Sequence, residues 1–591
     1  MTATLRWLVA ASLLTTSVAS IHSIAAPVPP GTSPLAIVPA QAPIVIQIRG
    51  VDRTKDRLNS LLKNAVPDFG PIAAMQVDKM IQDGVEGRKL QGLEKEGPIF
   101  IVFLTMPNPE SDEPDVAVIA RVSKFAEFRD GLLSEDERKG LKPAGDGVER
   151  AELNGKEVFF VDRAGWAIIT PKKDSIGLFG KDNAGLNAKL DKDLAARLTE
   201  ADVAAYVNLA AINKQFGDQI KETKDTLFGL MDQFGGQDKA TMDVAKAIYG
   251  GIYQVIEDGK AIVIALDFRP QGLSLQLAAH IGADTPTNKF LKEQKPSKLA
   301  GLGTMPAGQV IYSGTEFGPS LFKIMAPMMF ASAGEGAARE AMEKAVNDMI
   351  AAGTAASFSA ARFPAQSFQV QTFSDPAKAV AAQLAMFRAM GEGAAFQTGT
   401  IKGKPEIRDN DQSYRGFKLN YVKLVWDLDK LAEQVPGGGD DVKAAMQKLM
   451  GDGLQMWFGT DGKQVITVTA KDWADAKSQI DGFLDGKSPL SGVAAFDATR
   501  KELPTEATML SFADGGKFAM AMGDYMLSLF KAIPGIPFNL PANMKHVETE
   551  PSFIGISVVM KPEHGSFEMF LPAKAVQEIR KVLQPLFLGG E

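Results

Sequence analysis

A strand, a tight turn and a second strand, followed by a helix, recur four times along this chain, and that pattern limits its fold more than any other feature. Ile262, Ile264, Leu266 and Phe268 alternate with other residues, Arg269-Pro270-Gln271-Gly272 turns the chain, and Leu273, Leu275 and Leu277 alternate on the return. Alternation at period two is the mark of a sheet with one buried face. Pro presets φ and Gly tolerates positive φ, so the connection has a physical reason to turn. The pattern returns at Ile554–Met560 and Phe567–Met569 around Lys561-Pro562-Glu563-His564-Gly565, at Ile99–Leu104 and Val116–Val122, and at Phe358–Phe363 and Phe368–Phe373. Helix-prone stretches follow at Lys124–Leu133, Thr287–Lys292, Pro376–Met390 and Ala573–Leu586.

Each hairpin is preceded by a turn, one β-type strand and a helix-prone segment. The strands are Ile44–Ile48, Val203–Leu209, Val310–Ser313 and Thr508–Phe512, and the helices start near Thr54, Asn213, Gly318 and Lys517. Between the first two modules lie Gly155–Asp162, Trp166–Thr170 and a helix near Leu186–Leu198. Between the last two lie Phe417–Trp426, Gln464–Thr469 and a helix at Trp473–Leu484. The shared order indicates an internal duplication into two related halves, 35–298 and 299–591. A parallel doubly wound sheet would need strict alternation of strand and helix. The expected class is therefore α+β, with mainly antiparallel sheets and helices packed on one face.

The N-terminus carries Arg6, then the apolar run Trp7–Ala19, then small residues ahead of Pro27-Val28-Pro29-Pro30-Gly31. This reads as a secretory signal over 1–25, cut after Ser23-Ile24-Ala25, with Ser17-Val18-Ala19 as the alternative site and a Pro-rich linker over 26–34. The run is shorter than the ~20 apolar residues that span a bilayer. No later segment reaches that length, so no transmembrane segment is expected in the mature chain. An exported protein in the periplasm, cell envelope or extracellular space is the expectation.

At 591 residues, 45% of them hydrophobic, the chain can bury several cores. It has no cysteine, which removes disulfides, thiol nucleophiles and Cys-based metal sites. The net charge of −7 gives no basic excess for nucleic acid. Its four histidines, His22, His280, His546 and His564, show no zinc-ligand spacing. Gly482-Phe483-Leu484-Asp485-Gly486-Lys487-Ser488 follows a helix instead of starting one and reads as a helix end, not a phosphate loop. Asp409-Asn410-Asp411-Gln412-Ser413 opens like a calcium loop but has Tyr414 where a Gly is required. No catalytic, cofactor or metal residue is assigned, and no cofactor is expected.

The strand start Val38-Pro39-Ala40-Gln41-Ala42-Pro43-Ile44-Val45-Ile46, with Gly97-Pro98-Ile99-Phe100 and Tyr206-Val207-Asn208-Leu209, resembles exported bacterial proteins of unknown function built from repeated Leu-Pro–strand–helix modules. The resemblance implies secretion and an α+β fold, and it carries no catalytic residues.

Methionine stands out: there are 24, several on apolar helices. Met is flexible and polarizable and suits adaptable binding surfaces as well as cores. Core filling is the plain reading. The functional one is a hydrophobic groove lined by Met325, Met329, Met522, Met526 and Leu529 on the helices 318–333 and 516–533. Three roles are consistent with the sequence: a non-catalytic repeat protein that binds an envelope partner or has a structural role, a carrier of a lipid-like or other hydrophobic small molecule, or a hydrolase with a dispersed site. The leader makes a direct prediction. Intact-mass analysis of protein recovered from the exported fraction is expected to place its N-terminus at Ala26, and a chain still beginning at Met1 would contradict it.

Overall fold

Strand β1 (Ile44–Arg49) leaves the turn at Pro39–Pro43 and leads into helices α1 (Val51–Ala65) and α2 (Gly70–Gly84). The hairpin β2 (Pro98–Phe103) and β3 (Val116–Arg121) follows, with α3 (Phe125–Leu132) behind it. Helix α4 (Glu135–Lys139) precedes four strands, β4 (Lys142–Gly145), β5 (Val148–Leu153), β6 (Lys156–Asp162) and β7 (Trp166–Thr170). Helix α5 (Lys192–Glu200) then leads into β8 (Val203–Val207), α6 (Leu209–Phe234), α7 (Lys239–Asp258) and the hairpin β9 (Gly259–Arg269) and β10 (Gly272–Ile281). This is a computed structural model. It describes residues 33–588 apart from 85–87, 107–114, 181–183, 235–238, 319, 322–325, 327–335, 364–365, 393, 397–398, 434–438, 452 and 533–546.

After α8 (Pro286–Lys292) the sequence of elements starts again. It runs through β11 (Ile311–Thr315), α9 (Ala337–Ala351), the hairpin β12 (Thr354–Arg362) and β13 (Gln366–Phe373), and α10 (Pro376–Ala389). A short pair, β14 (Ala395–Phe396) and β15 (Gly399–Thr400), precedes β16 (Glu406–Tyr414) and β17 (Phe417–Val425). Helices α11 (Leu428–Glu433) and α12 (Asp440–Met450) come next, then β18 (Gly453–Thr460), β19 (Val465–Ala470), α13 (Trp473–Leu484) and α14 (Ala494–Lys501). The chain closes with β20 (Met509–Asp514), α15 (Gly515–Ala532), the hairpin β21 (Phe553–Lys561) and β22 (His564–Pro572), and α16 (Ala573–Leu588). The protein is α+β and its strand pairings are antiparallel. Two compact units are present: the chain up to Ile220 with Ile256–Gly282, and Lys221–Val255 with Ala283 onward.

In the first unit the strands lie in the order β10-β9-β8-β1-β2-β3-β7-β6-β5-β4. In the second they lie in the order β22-β21-β20-β11-β12-β13-β19-β18-β17-β16. Position for position, the two orders are the same. Single hydrogen bonds match as well. Asn208 N–H donates to Pro43 O at 2.8 Å and Asp514 N–H to Val310 O at 2.8 Å. Leu186 donates to Val38 O and Leu490 to Met305 O, each at 2.8 Å, and Arg49 donates to Asp202 O and Glu316 to Thr508 O, each at 2.9 Å. Strands β4, β5, β14, β15, β16 and β18 are absent from the sequence expectation. β16 reads EIRDNDQSY, with no apolar period to see, and a bulge at Asn410 (φ 49°) interrupts its pairing. The calcium-like segment 409–413 lies on this strand, with Asp409 and Asp411 paired to Arg388 and Arg408 at 2.5 and 2.7 Å.

One face of each sheet carries a main core. In the first unit Val45, Phe100, Val102, Ile119, Tyr206 and Val263 pack with Leu186, Leu194 and Leu198. In the second, Tyr312, Phe368, Val370, Phe512 and Phe553 pack with Ile480 and Phe496. Smaller clusters sit on the other faces, such as Ile99, Phe160 and Ala167 under Val51, Phe128 and Leu132.

The helices that follow β8 and β20 start on equivalent side chains. Asn208 Oδ1 accepts from Ala211 N–H at 3.0 Å, and Asp514 Oδ1 from Lys517 N–H at 3.4 Å. Asp514 is buried, and its Oδ2 accepts no hydrogen bond, although Lys517 Nζ lies 3.7 Å away. Burial pushes this carboxyl above its ordinary value. The folded protein thus holds the proton more tightly than the unfolded chain, so the stability this group contributes at low pH is lost as pH rises from about 3.9 through the raised folded value. Asp514→Asn retains the cap that Asn208 demonstrates. In urea titrations the variant is expected to match wild type near pH 4 and to exceed it by on the order of 1 kcal/mol near pH 7. A variant less stable than wild type at pH 7 would contradict this.

Candidate functional site

The alternating aliphatic residues of the hairpins are not the buried set. On β9 the buried positions are Ala261, Val263 and Ala265, while Ile262 and Leu266 are half-buried and Ile264 is 40% exposed. On β10 Ser274 and Ala278 are buried, whereas Leu273 and Leu275 are half-buried and Leu277 is 39% exposed. β21 repeats the inversion, with Phe553, Gly555, Ser557 and Val559 buried and Ile554, Ile556 and Val558 half-buried. The reason is helix proximity. Helix α5 packs on β8, β9 and β10, and α14 packs on β21. At Gly555 a Cβ would fall 2.6 Å from Thr499 Cγ2 and 2.9 Å from Leu503 Cδ1. Small side chains therefore occupy much of the core face of these hairpins, and the large ones turn to the other face.

That other face in the first unit carries a floor made by a run of aliphatic residues in register, one end of which lies under helix α1, whose Val51 packs with Ile99 beside Ile48. β1 contributes Ile44, Ile46 and Ile48, and β8 contributes Val203, Ala205 and Val207 beside them in register. Ile262, Ile264 and Leu266 of β9 lie opposite Val207, Ala205 and Val203. Leu277 and Leu275 of β10 extend the floor beyond Ile264 and Leu266. At its inner side Ile101 and Phe103 are buried against Ile44, Ile46 and Val116. The six-residue step from Ile262 to Phe268 spans roughly 20 Å at the rise of a strand.

The second unit is different at the register-equivalent places. Ile311, Ser313 and Thr315 of β11 face Ala513, Ser511 and Met509 of β20. Ser359 and Ser357 of β12 are opposite Gln369 and Gln371 of β13. Gln369 donates to Ser357 Oγ at 2.9 Å, and Ser511 Oγ donates to Tyr312 O at 3.3 Å. One strand order thus carries an aliphatic face in one unit, and in the other a hydroxyl- and amide-bearing patch on β11, β20, β12 and β13 beside the apolar Ile554, Ile556 and Val558 of β21.

Of the methionine groove, Met522 and Met526 lie on α15 and are 36% and 40% exposed, in a stripe with Phe518. Met520 turns the other way, against Ala519, Val582 and Ile579. Leu529 lies on α15 with its side chain outside the described residues, and Met325 and Met329 lie outside them altogether. His280, half-buried, has Nδ1 3.7 Å from Asp191 Oδ2, and His564 opens β22. His546 and the leader also lie outside the described residues. Among the described residues no group of three His, Asp or Glu side chains could hold a metal ion, and no helix is long and apolar enough to cross a membrane.

No known protein family matches this sequence, and no curated protein matches it. Two solved structures, crystal forms III and I of TP0453, superpose weakly. They are 10% and 11% identical, with TM-scores of 0.23 and 0.22, covering 45% and 42% of this chain and 89% and 80% of that one. A likeness this low extends to neither fold nor function.

The assignment of faces is tested by a neighbouring pair. Val263→Ser puts an unmatched hydroxyl into the main core and is expected to cost more than about 2 kcal/mol, while Ile264→Ser next to it stays within about 0.5 kcal/mol. Urea midpoints measure both, and equal losses would show that the two faces are alike.

Proposed function

We propose that this chain is an exported, non-catalytic binding protein of the periplasm, cell envelope or extracellular space, and that the first unit binds an elongated apolar ligand on its sheet floor. The observation that carries the proposal is the exposure of Ile264 and Leu277 on a face built otherwise of Ile, Leu, Val, Ala205 and Phe103. Exposed aliphatic surface loses free energy to water at about 25 cal/mol per Å², so covering it with a chain-like ligand is favourable. Apolar floors with few polar groups are the usual lining of sites for hydrophobic small molecules. The hydroxyl- and amide-bearing part of the second unit's face supports the same reading, because the shared strand order does not itself require an aliphatic surface there. Side chains of this floor also have no groups for acid–base or nucleophilic chemistry, which separates the proposal from a hydrolase.

The matched strand orders and hydrogen bonds support descent of the two halves from one duplicated ancestor, after which their floors diverged. Export rests on the leader and on the resemblance to secreted proteins of modular build. The stripe Phe518, Met522 and Met526 favours a second reading for the second unit, in which an apolar segment of an envelope partner lies along α15.

The floor can be tested with N-phenyl-1-naphthylamine, an uncharged dye that brightens in apolar sites. Wild type is expected to enhance its emission, and tetradecanol to displace it. Ile264→Glu and Leu277→Glu place a charge on the floor and are expected to weaken binding at least about tenfold while the melting temperature holds. Ser313→Glu, on the other floor, leaves binding unchanged. No enhancement with folded wild type would overturn the proposal.

A further inference from the structure

Among the described residues, the large apolar side chains most open to solvent fall within the segment 69–75. Met75 is 69% exposed, and Phe69 and Ile72 are each 55% exposed. Pro67 and Pro71 are exposed beside them. Together they form the corner where α1 turns into α2. Backbone contacts fix this corner. Val66 O accepts from Phe69 N–H at 3.0 Å and from Gly70 N–H at 2.6 Å. A Cβ at Gly70 would fall 2.9 Å from Lys63 Cα, so α2 starts hard against the last turn of α1. Lys55 Nζ, 2.7 Å from Asp78, joins the two helices further along.

Helix α1 is in turn fastened to the sheet. Arg57 donates Nε–H to Phe268 O and Asn64 donates Nδ2–H to Pro270 O, each at 2.8 Å. The fully buried Asp202 accepts from Phe268 N–H at 2.7 Å on Oδ2, and its Oδ1 lies 3.5 Å from Arg53 Nε and 3.1 Å from Arg57 Nη1. Asp267 sits 3.9 Å from Arg57 and 3.3 Å from Arg269. Arg49, just ahead of α1, donates Nη1–H to Glu200 O at the end of α5, at 2.5 Å. A partly buried ion cluster thus holds α1, and α1 holds the corner.

The fold does not require an apolar corner. In the second unit the helix ahead of the equivalent hairpin, α9, buries Met342, Ala345 and Val346 and packs on α10. In the first unit Leu90, from the loop after α2, packs with Phe128 and Leu132 of α3, while α2 packs on α1 with Phe69, Ile72 and Met75 exposed. A contiguous apolar patch of this kind marks a surface that meets a partner. Two cations flank it. Lys63 lies in the last turn of α1, and Lys79 lies two turns beyond Ile72 on the same face of α2; both are exposed. Set against the exposed Asp68, they leave the corner a surplus of one positive charge. A peptide segment seats in a groove, whereas a fluid surface closes over a convex corner. Apolar side chains edged by lysine suit the boundary between acyl chains and anionic headgroups.

We propose that the α1–α2 corner docks this protein on the surface of an anionic phospholipid bilayer. Phe69, Ile72 and Met75 enter the boundary between headgroups and acyl chains, and Lys63 and Lys79 meet headgroup phosphates. The corner lies on the membrane and does not cross it. This goes beyond the apolar-ligand reading and does not rest on it.

The chain has no cysteine, so Met75→Cys labelled with nitrobenzoxadiazole reports on this corner alone. Ser60→Cys, at an exposed position of α1, carries the same label as a control. With vesicles of phosphatidylglycerol and phosphatidylethanolamine, the label at 75 is expected to brighten and shift to the blue, and the label at 60 to stay as it is in water. In co-sedimentation with these vesicles, Ile72→Glu and Met75→Glu are each expected to weaken binding at least about tenfold while the melting temperature holds. Lys63→Gln and Lys79→Gln are each expected to weaken it about fivefold and to leave the weaker binding to phosphatidylcholine vesicles unchanged. A label at 75 that stays as in water while the protein sediments with vesicles overturns the proposal, and so does a folded protein that does not sediment. Brightening without vesicles that grows with protein concentration, with a doubled mass by light scattering, overturns it as well and assigns the corner to a second copy of the chain.

Discussion

The antiparallel pair formed by β1 and β8, and its counterpart β11 and β20, is the contact on which each unit is built. Every other strand is added outward from it, β9 and β10 on one side and β2, β3 and β7 to β4 on the other. The partners are far apart in sequence, so the loop that joins them must be closed before the pair gains anything. Matching hydrogen bonds at both ends fasten the pair, Asn208 to Pro43 and Arg49 to Asp202 in the first unit, Asp514 to Val310 and Glu316 to Thr508 in the second. Side chains at these ends then do further work. Asn208 and Asp514 start the next helix, while Asp202 and Thr508 hold the first strand of the following hairpin.

Because these bonds fix register, they also fix which residues face which way. A one-residue slip would send every side chain to the opposite face. Helices α5 and α14 come so close to their sheets that Gly555, Ala261 and Ala265 are what fits beneath them. Bulk is therefore displaced to the far side of the sheet. In the second unit part of that side is given to serine and glutamine, which bond one another. In the first it is given to isoleucine and leucine, which cannot. The two units show how one backbone arrangement separates what the fold demands from what a ligand would use.

Much of this order is legible in the sequence. Turn residues such as Arg269-Pro270-Gln271-Gly272 mark the hairpins, and α13 has the expected bounds, Trp473–Leu484, between a capping Asp472 and the Gly486 turn. What the sequence conceals is the face. Ile262, Ile264 and Leu266 alternate as a buried stripe would, and period two states that two faces differ without stating which is covered. The small residues between them, Ala261, Val263 and Ala265, carry the answer, but only once a helix is known to lie on them. β16 and β4 are hidden for another reason. As the outermost strands of the described pairings they are polar, with no apolar period. The arginine cluster escapes notice because Arg49, Arg53 and Arg57 are distant in sequence from Asp202 and Asp267.

Two sheets with the same strand order in one chain can exchange strands while folding, and the differences between equivalent strands work against it. If β11 took the place of β1 beside β8, Glu316 would come opposite the buried Asp202, two carboxylates with no arginine between them. Ser313 would replace Ile46 among the aliphatic residues of the floor and lose its polar neighbours. If β1 lay beside β20, its end would meet Thr508, and the buried Asp202 would lose Arg53 and Arg57, which follow β1 on α1. Exchanged sheets of this kind are a recurrent failure of chains with internally similar domains, and burial of unpaired charge is among the strongest penalties available against them. Asp202 with Arg53 and Arg57 in one unit, and Thr508 facing Glu316 in the other, therefore make each exchanged pairing less favourable than the native one.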